Sequence, residues 1–131
     1  MKNRELLDSA ESLAALASTK LKGSIGFIVA HNFKQVQEHL KTLDTSRLDI
    51  VKANTKLDEE GKPIPVKDAD GRVQENQVHL KDRDAFTKEL GDLFDLEVGD
   101  LIKIKKLKAS SLDLVEIEPR HLALLGWMIE D

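Results

Sequence analysis

Apolar residues recur every three or four positions at Leu6, Leu7, Ala10, Leu13, Ala14 and Ala17, which predicts a helix over residues 4–19 with Asn3 as its N-cap. "KLKG" breaks the pattern at Gly23, and Ser24 is placed to cap a second, much longer helix. Its core-facing positions run Ile25, Ile28, Val29, Phe33, Val36, Leu40, Leu43, Leu48 and Val51, with a phase shift around residues 44–47. Continued to about Asn54, this helix is about 45 Å long. The short first helix cannot cover such a rod, so the rest of the chain or a second copy must lie along it. Ile28, Phe33, Val36, Leu40 and Leu43 are therefore the candidate oligomer interface, in a homodimer or higher oligomer.

From Lys56 the pattern changes. "LDEEGKPIPVKDADGRVQENQVHL" predicts a turn at Glu60–Gly61, a short strand over 64–67, a turn over 68–71 and a return strand from Arg72. Pro63 and Pro65 have no N–H to give to a ladder, which confines the first strand to an edge. A third helix follows, capped by Asp82 or Asp84, with Phe86, Leu90, Leu93 and Phe94 on one face. "DLIKIKKLK" interleaves apolar residues with lysines and predicts a strand with one wet face. Pro119 opens a last helix, with Leu122, Leu125, Met128 and Ile129 inward. The fold class expected is α+β: a helical hairpin with one long helix, a small antiparallel β element and a C-terminal helix, in a single domain over residues 1–131. No internal repeat or linker is evident at this level.

Composition removes several classes of function. The chain has no cysteine, so disulfides, thiolate metal sites and cysteine nucleophiles are excluded together. The net charge of −4 lacks the basic excess that phosphate neutralisation requires, and five aromatic residues without a tyrosine make poor base-stacking platforms. Nucleic acid is accordingly not an expected partner. No apolar run reaches the roughly 20 residues of a membrane span. "MKNRELLDSAESL" has no apolar signal region, and a cytoplasmic location is expected.

Four stretches carry candidate chemistry. "VKDADGRVQEN" aligns Asp68, Asp70 and Gly71 with positions 3, 5 and 6 of a calcium loop, yet Val66 and Gln77 fall where the first and the bidentate ligands belong. A hairpin turn fits better. "KGSIGF" contains a GxxG, the clamp of KH domains, but lacks the preceding strand and reads as a helix break. His31, Gln35 and His39 share one helical stripe, with the histidines two turns apart and too distant for one ion, and read as surface polar positions. "KIKKLK" places Lys103, Lys105, Lys106 and Lys108 within six residues, a candidate site for an anionic ligand or an acidic partner surface. The competing account is an exposed strand kept soluble by lysine. No nucleophile elbow, P-loop or dinucleotide fingerprint occurs, so no catalysis, cofactor or metal is expected.

The chain resembles a family of small uncharacterised proteins of tailed bacteriophages. The likeness is carried by "ELL" at 5–7, the long second helix, the "EEGK" and "DADG" turns, "FTKELGDLFDLEV" at 86–98, the lysine-flanked "IKI" and the ending "LALLGWMIED". Where that family has a proline between the first two helices, this chain has "LKGS". The resemblance implies a protein made in the host cytoplasm during infection and supplies no catalytic residues. Together these readings predict a non-enzymatic accessory protein acting by binding. It neutralises a host defence factor, either by docking on a host protein or by sequestering a small anionic signal. The rival expectations are a virion or assembly protein, and a nucleic-acid binder through residues 103–108.

Overall fold

The structure is a computed structural model that describes residues 1–74 and 77–131. Among the described residues it has four α-helices, α1 (Asn3–Ala17), α2 (Gly23–Asn54), α3 (Arg83–Asp95) and α4 (Pro119–Leu124), and two strands, β1 (Leu107–Lys108) and β2 (Ile129–Glu130). The chain forms two compact units, one of residues 1–43 with 94–131 and one of residues 44–93.

The first unit is built on α1. Leu6, Leu13 and Leu16 lie on one helical face and are completely buried, together with Val29 and Val36 of α2, Val98, Leu125 and Met128. Each such side chain contributes about 1.5–3 kcal/mol by leaving water. The chain's beginning is tied down by an antiparallel bridge, Lys2 to Glu97, with Asn3 N–H donating to Leu96 O (3.0 Å) and Val98 N–H to Met1 O (2.8 Å). Lys2 therefore takes the cap position of α1, and Asn3, expected there, is the first helical residue and is buried. Buried polar groups in this unit are paired: Ser12 Oγ lies 2.9 Å from His121 Nδ1, and Trp127 Nε1–H donates to Ser9 Oγ at 3.2 Å.

Pro119 opens α4 as the sequence predicts, but the helix ends at Leu124 and a 3-10 turn over Gly126–Met128 replaces its second half. Leu125 and Met128 still point inward. The turn delivers the chain into β2, which pairs with β1 in parallel, Leu107 opposite Ile129 and Lys108 opposite Glu130. This corrects the expected fold: the β element is a two-stranded parallel sheet rather than an antiparallel one. Among the described residues the segment 64–67 and its return form no strand, residues 75 and 76 of the return lying outside them, and "DLIKIKKLK" contributes only Leu107–Lys108. Pro63 and Pro65 supply no N–H, which limits the proline-rich region to isolated antiparallel bridges, Leu57 to Pro63 and Lys67 to Val73.

In the second unit both predicted turns are present, and they are two copies of one design. Asp58 Oδ1 accepts from Glu60 N–H and Lys62 N–H, and Asp68 Oδ1 accepts from Asp70 N–H and Arg72 N–H, all at 2.9 Å. Gly61 and Gly71 close the turns at φ +80°, each donating to the carbonyl of its own aspartate. The flanking bonds repeat as well, Ile64 N–H to Lys56 O and Gln74 N–H to Val66 O. "DEEGK" and "DADGR" thus form a tandem ten-residue repeat, where none was expected. Gly71→Ala forces a Cβ into the left-handed region, where nothing else crowds it, and is expected to cost about 1 kcal/mol in urea unfolding.

Asp82 caps α3, its Oδ1 accepting from Asp84 N–H (3.0 Å) and Ala85 N–H (3.2 Å). Among the described residues of this unit only Asn54 and Thr55 are buried. Phe86, Leu90 and Leu93 remain half-exposed. No helix is long and apolar enough to cross a membrane, among the described residues.

Candidate functional site

The segment carrying the lysine cluster starts from an extended Ile102 and is not a sheet strand over residues 102–106. Side chains of α2 satisfy its backbone instead. Asn32, which is 0 % exposed, donates from Nδ2 to Lys105 O (2.8 Å) and accepts at Oδ1 from Lys105 N–H (2.9 Å), replacing a rung of β ladder. His31, next to Asn32, and Gln35, one turn on from His31, hold Lys103 in the same way: His31 Nε2 lies 2.8 Å from Lys103 O, and Gln35 Oε1 accepts from Lys103 N–H at 3.2 Å. A carbonyl only accepts, so His31 carries its proton on Nε2. The polar stripe expected at the surface therefore holds the chain's own extended segment.

His39 completes that stripe, its Nε2 2.7 Å from Asn3 Oδ1. Burial holds the imidazole pKa below its ordinary value. The unfolded chain then binds more protons than the folded one as pH falls through the ordinary histidine range near 6.5, so stability is retained above that pH and lost below it. His39→Gln is expected to flatten the change in urea midpoint between pH 7 and pH 5.5 relative to the unaltered chain.

The alternation of backbone bonds leaves the lysine side chains in water. Lys103, Lys105, Lys106 and Lys108 are all exposed, and none has an ion-pair partner among the described residues. The structure separates them. Lys103 and Lys106 line a cleft of about 670 Å³, whereas Lys105 and Lys108 stand outside it. The cleft has an apolar floor of Val98, Ile102 and Ile104, with Trp127 as one wall. Asp100 and Met1 also line it, and the Met1 ammonium lies 2.9 Å from Glu97 Oε2, an ion pair that keeps the amine protonated above its usual range.

The remaining predicted sites resolve differently. Val36 and Leu43 of the proposed interface are buried by the chain itself, and Ile28, Phe33 and Leu40 pack partly against the same core. The stripe that was to meet a second copy is thus largely occupied. Gly23 and Gly26 lie inside α2 rather than in a loop, and a Cβ at Gly26 meets Leu21 only at an ordinary 3.6 Å. Ser24 likewise sits within the helix rather than at its cap. Asp68 spends its Oδ1 on backbone N–H groups, as a turn aspartate does. No group of three potential metal ligands comes together among the described residues. Ser12 and His121 bring a hydroxyl to an imidazole, but both are buried in the core, where the contact is an interior hydrogen bond.

The sequence reading missed Asn32 and Trp127. Asn32 lies three residues after Val29 and four before Val36, on the buried face of α2, and a polar residue in that register marks a satisfied interior group. Nothing in the spacing of Trp127 distinguishes a cleft wall. No protein family, curated protein or solved structure matches the chain.

Proposed function

We propose that this chain is a non-enzymatic binding protein whose cleft takes an anionic partner. The observation that carries the reading is the pair Lys103 and Lys106, both exposed and unpaired, at the mouth of a cleft with an apolar floor and a tryptophan wall. In the setting implied by the resemblance to bacteriophage proteins, the partner is a host component that the protein neutralises by holding it.

Trp127 is the only tryptophan and reports directly on the cleft. Titration with pyrophosphate and with a glutamate-rich peptide is expected to change its fluorescence. The double substitution Lys103→Ala with Lys106→Ala is expected to weaken that response about tenfold or more, two charge-assisted contacts being lost. Equal affinity in the double variant, or no response to either anion, removes the cleft as the site.

A further inference from the structure

In an extended chain the N–H and C=O of one residue point to the same side, and those of its neighbours to the other. Lys103 and Lys105 both turn theirs toward α2, where His31, Asn32 and Gln35 bond them. Ile104 must therefore turn its N–H and C=O the opposite way. Neither has a partner among the described residues. Three residues further on, the same stretch of chain does have a β partner, since Leu107 and Lys108 pair with Ile129 and Glu130. The chain's own β2 begins at Ile129, and the 3-10 turn before it, which carries Trp127, is not strand. Ile104 is thus an edge of chain whose N–H and C=O have no partner among the described residues, beside the cleft that Ile104 and Trp127 line.

We infer that this edge accepts an extended acidic peptide by β-strand addition, the open N–H and C=O of Ile104 pairing with its backbone and the lysines meeting its carboxylates. The inference rests on the reading of the cleft as an anion site and names its occupant. Backbone pairing supplies affinity in such complexes, and side chains at alternate positions supply selectivity. The charge pattern sets the choice of peptide. Lys103 and Lys106 in the cleft, with Lys105 beside them, face only Asp100 as an unpaired opposing charge among the cleft residues. Glutamates at every second position of an added strand stand opposite such lysines, and opposite-charge cross-strand pairs are favourable. A free anion satisfies the lysines but leaves Ile104 open.

The test uses the full chain, uniformly labelled with nitrogen-15, and a seven-residue peptide of alternating glutamate and valine with blocked ends. The same peptide N-methylated at its central residues keeps every charge but cannot pair along that edge. The expected result is that the first peptide moves the Ile104 amide downfield and slows its hydrogen exchange at least about tenfold, while the Lys105 amide, already bonded to Asn32, changes little. The methylated peptide is expected to bind about tenfold more weakly. Equal binding of the two peptides with an unmoved Ile104 amide overturns strand addition and leaves the anion site standing. Absence of binding by both peptides overturns strand addition. If pyrophosphate also fails to shift the Lys103 and Lys106 amides, the anion site falls with it.

Discussion

Asn32→Leu is expected to lower the stability of the protein by about 2–4 kcal/mol, because Lys105 N–H and C=O lose both partners at once in a part-buried setting. Leucine is close to asparagine in size, so the loss measures hydrogen bonding rather than a cavity. Urea unfolding followed by circular dichroism reads it, and Lys105→Ala is the control. Only the backbone of Lys105 is engaged, so truncating its exposed side chain is expected to change stability by less than about 0.5 kcal/mol. Asn32→Asp separates the two bonds. It preserves an acceptor for Lys105 N–H but aims a carboxylate oxygen at Lys105 O, and is expected to be no milder than the leucine variant at pH 7. An unchanged urea midpoint in Asn32→Leu means that α2 does not hold the extended segment, and the edge at Ile104 then has no fixed backing.

The second large effect is a contrast between the two units. Leu13→Ala removes a completely buried side chain from the first unit and is expected to cost about 2–5 kcal/mol. Leu90→Ala in the second unit, where leucine is already half-exposed, is expected to cost about 1 kcal/mol or less. Native-state hydrogen exchange extends the same comparison to the backbone. Amides of α1 are expected to exchange only on global opening, whereas those of α3 and the paired turns exchange through much cheaper local opening, having no buried apolar side chain in their unit to hold them. Equal protection of α1 and α3 overturns this ranking.

Periodicity made most of the helices legible. Spacings of three and four place the first three, and the capping role of Asp82 and the position of Pro119 at the start of the fourth are local rules that tertiary structure leaves alone. The turns at Asp58 and Asp68 are legible for the same reason, since every bond that closes them lies within five residues. The sheet was not legible. Its two strands have two residues each, too few for an alternation to register, and they lie 22 positions apart in sequence, Leu107 to Ile129. At the candidate site, the lysines were visible as a charge run, but what they stand on was not. Whether 102–106 pairs with a strand or with a helix depends on His31, Asn32 and Gln35, some 70 residues earlier, and no local pattern links the two.

The paired turns of the second unit have a consequence for how this chain tolerates changes of length. Each copy closes on itself: Asp58 serves only residues 60–62 and Asp68 only residues 70–72, and the flanking bonds join Lys56 to Ile64 and Val66 to Gln74 without crossing from one copy to the other. A ten-residue step is an even number of residues, so removing or adding one copy leaves side chains on the same faces before and after it. A deletion of five residues is therefore expected to be a graver lesion than a deletion of ten, and the two ends of the region stay joined through the bridge of Thr55 to Leu80 and the bond from Lys56 N–H to His79 O.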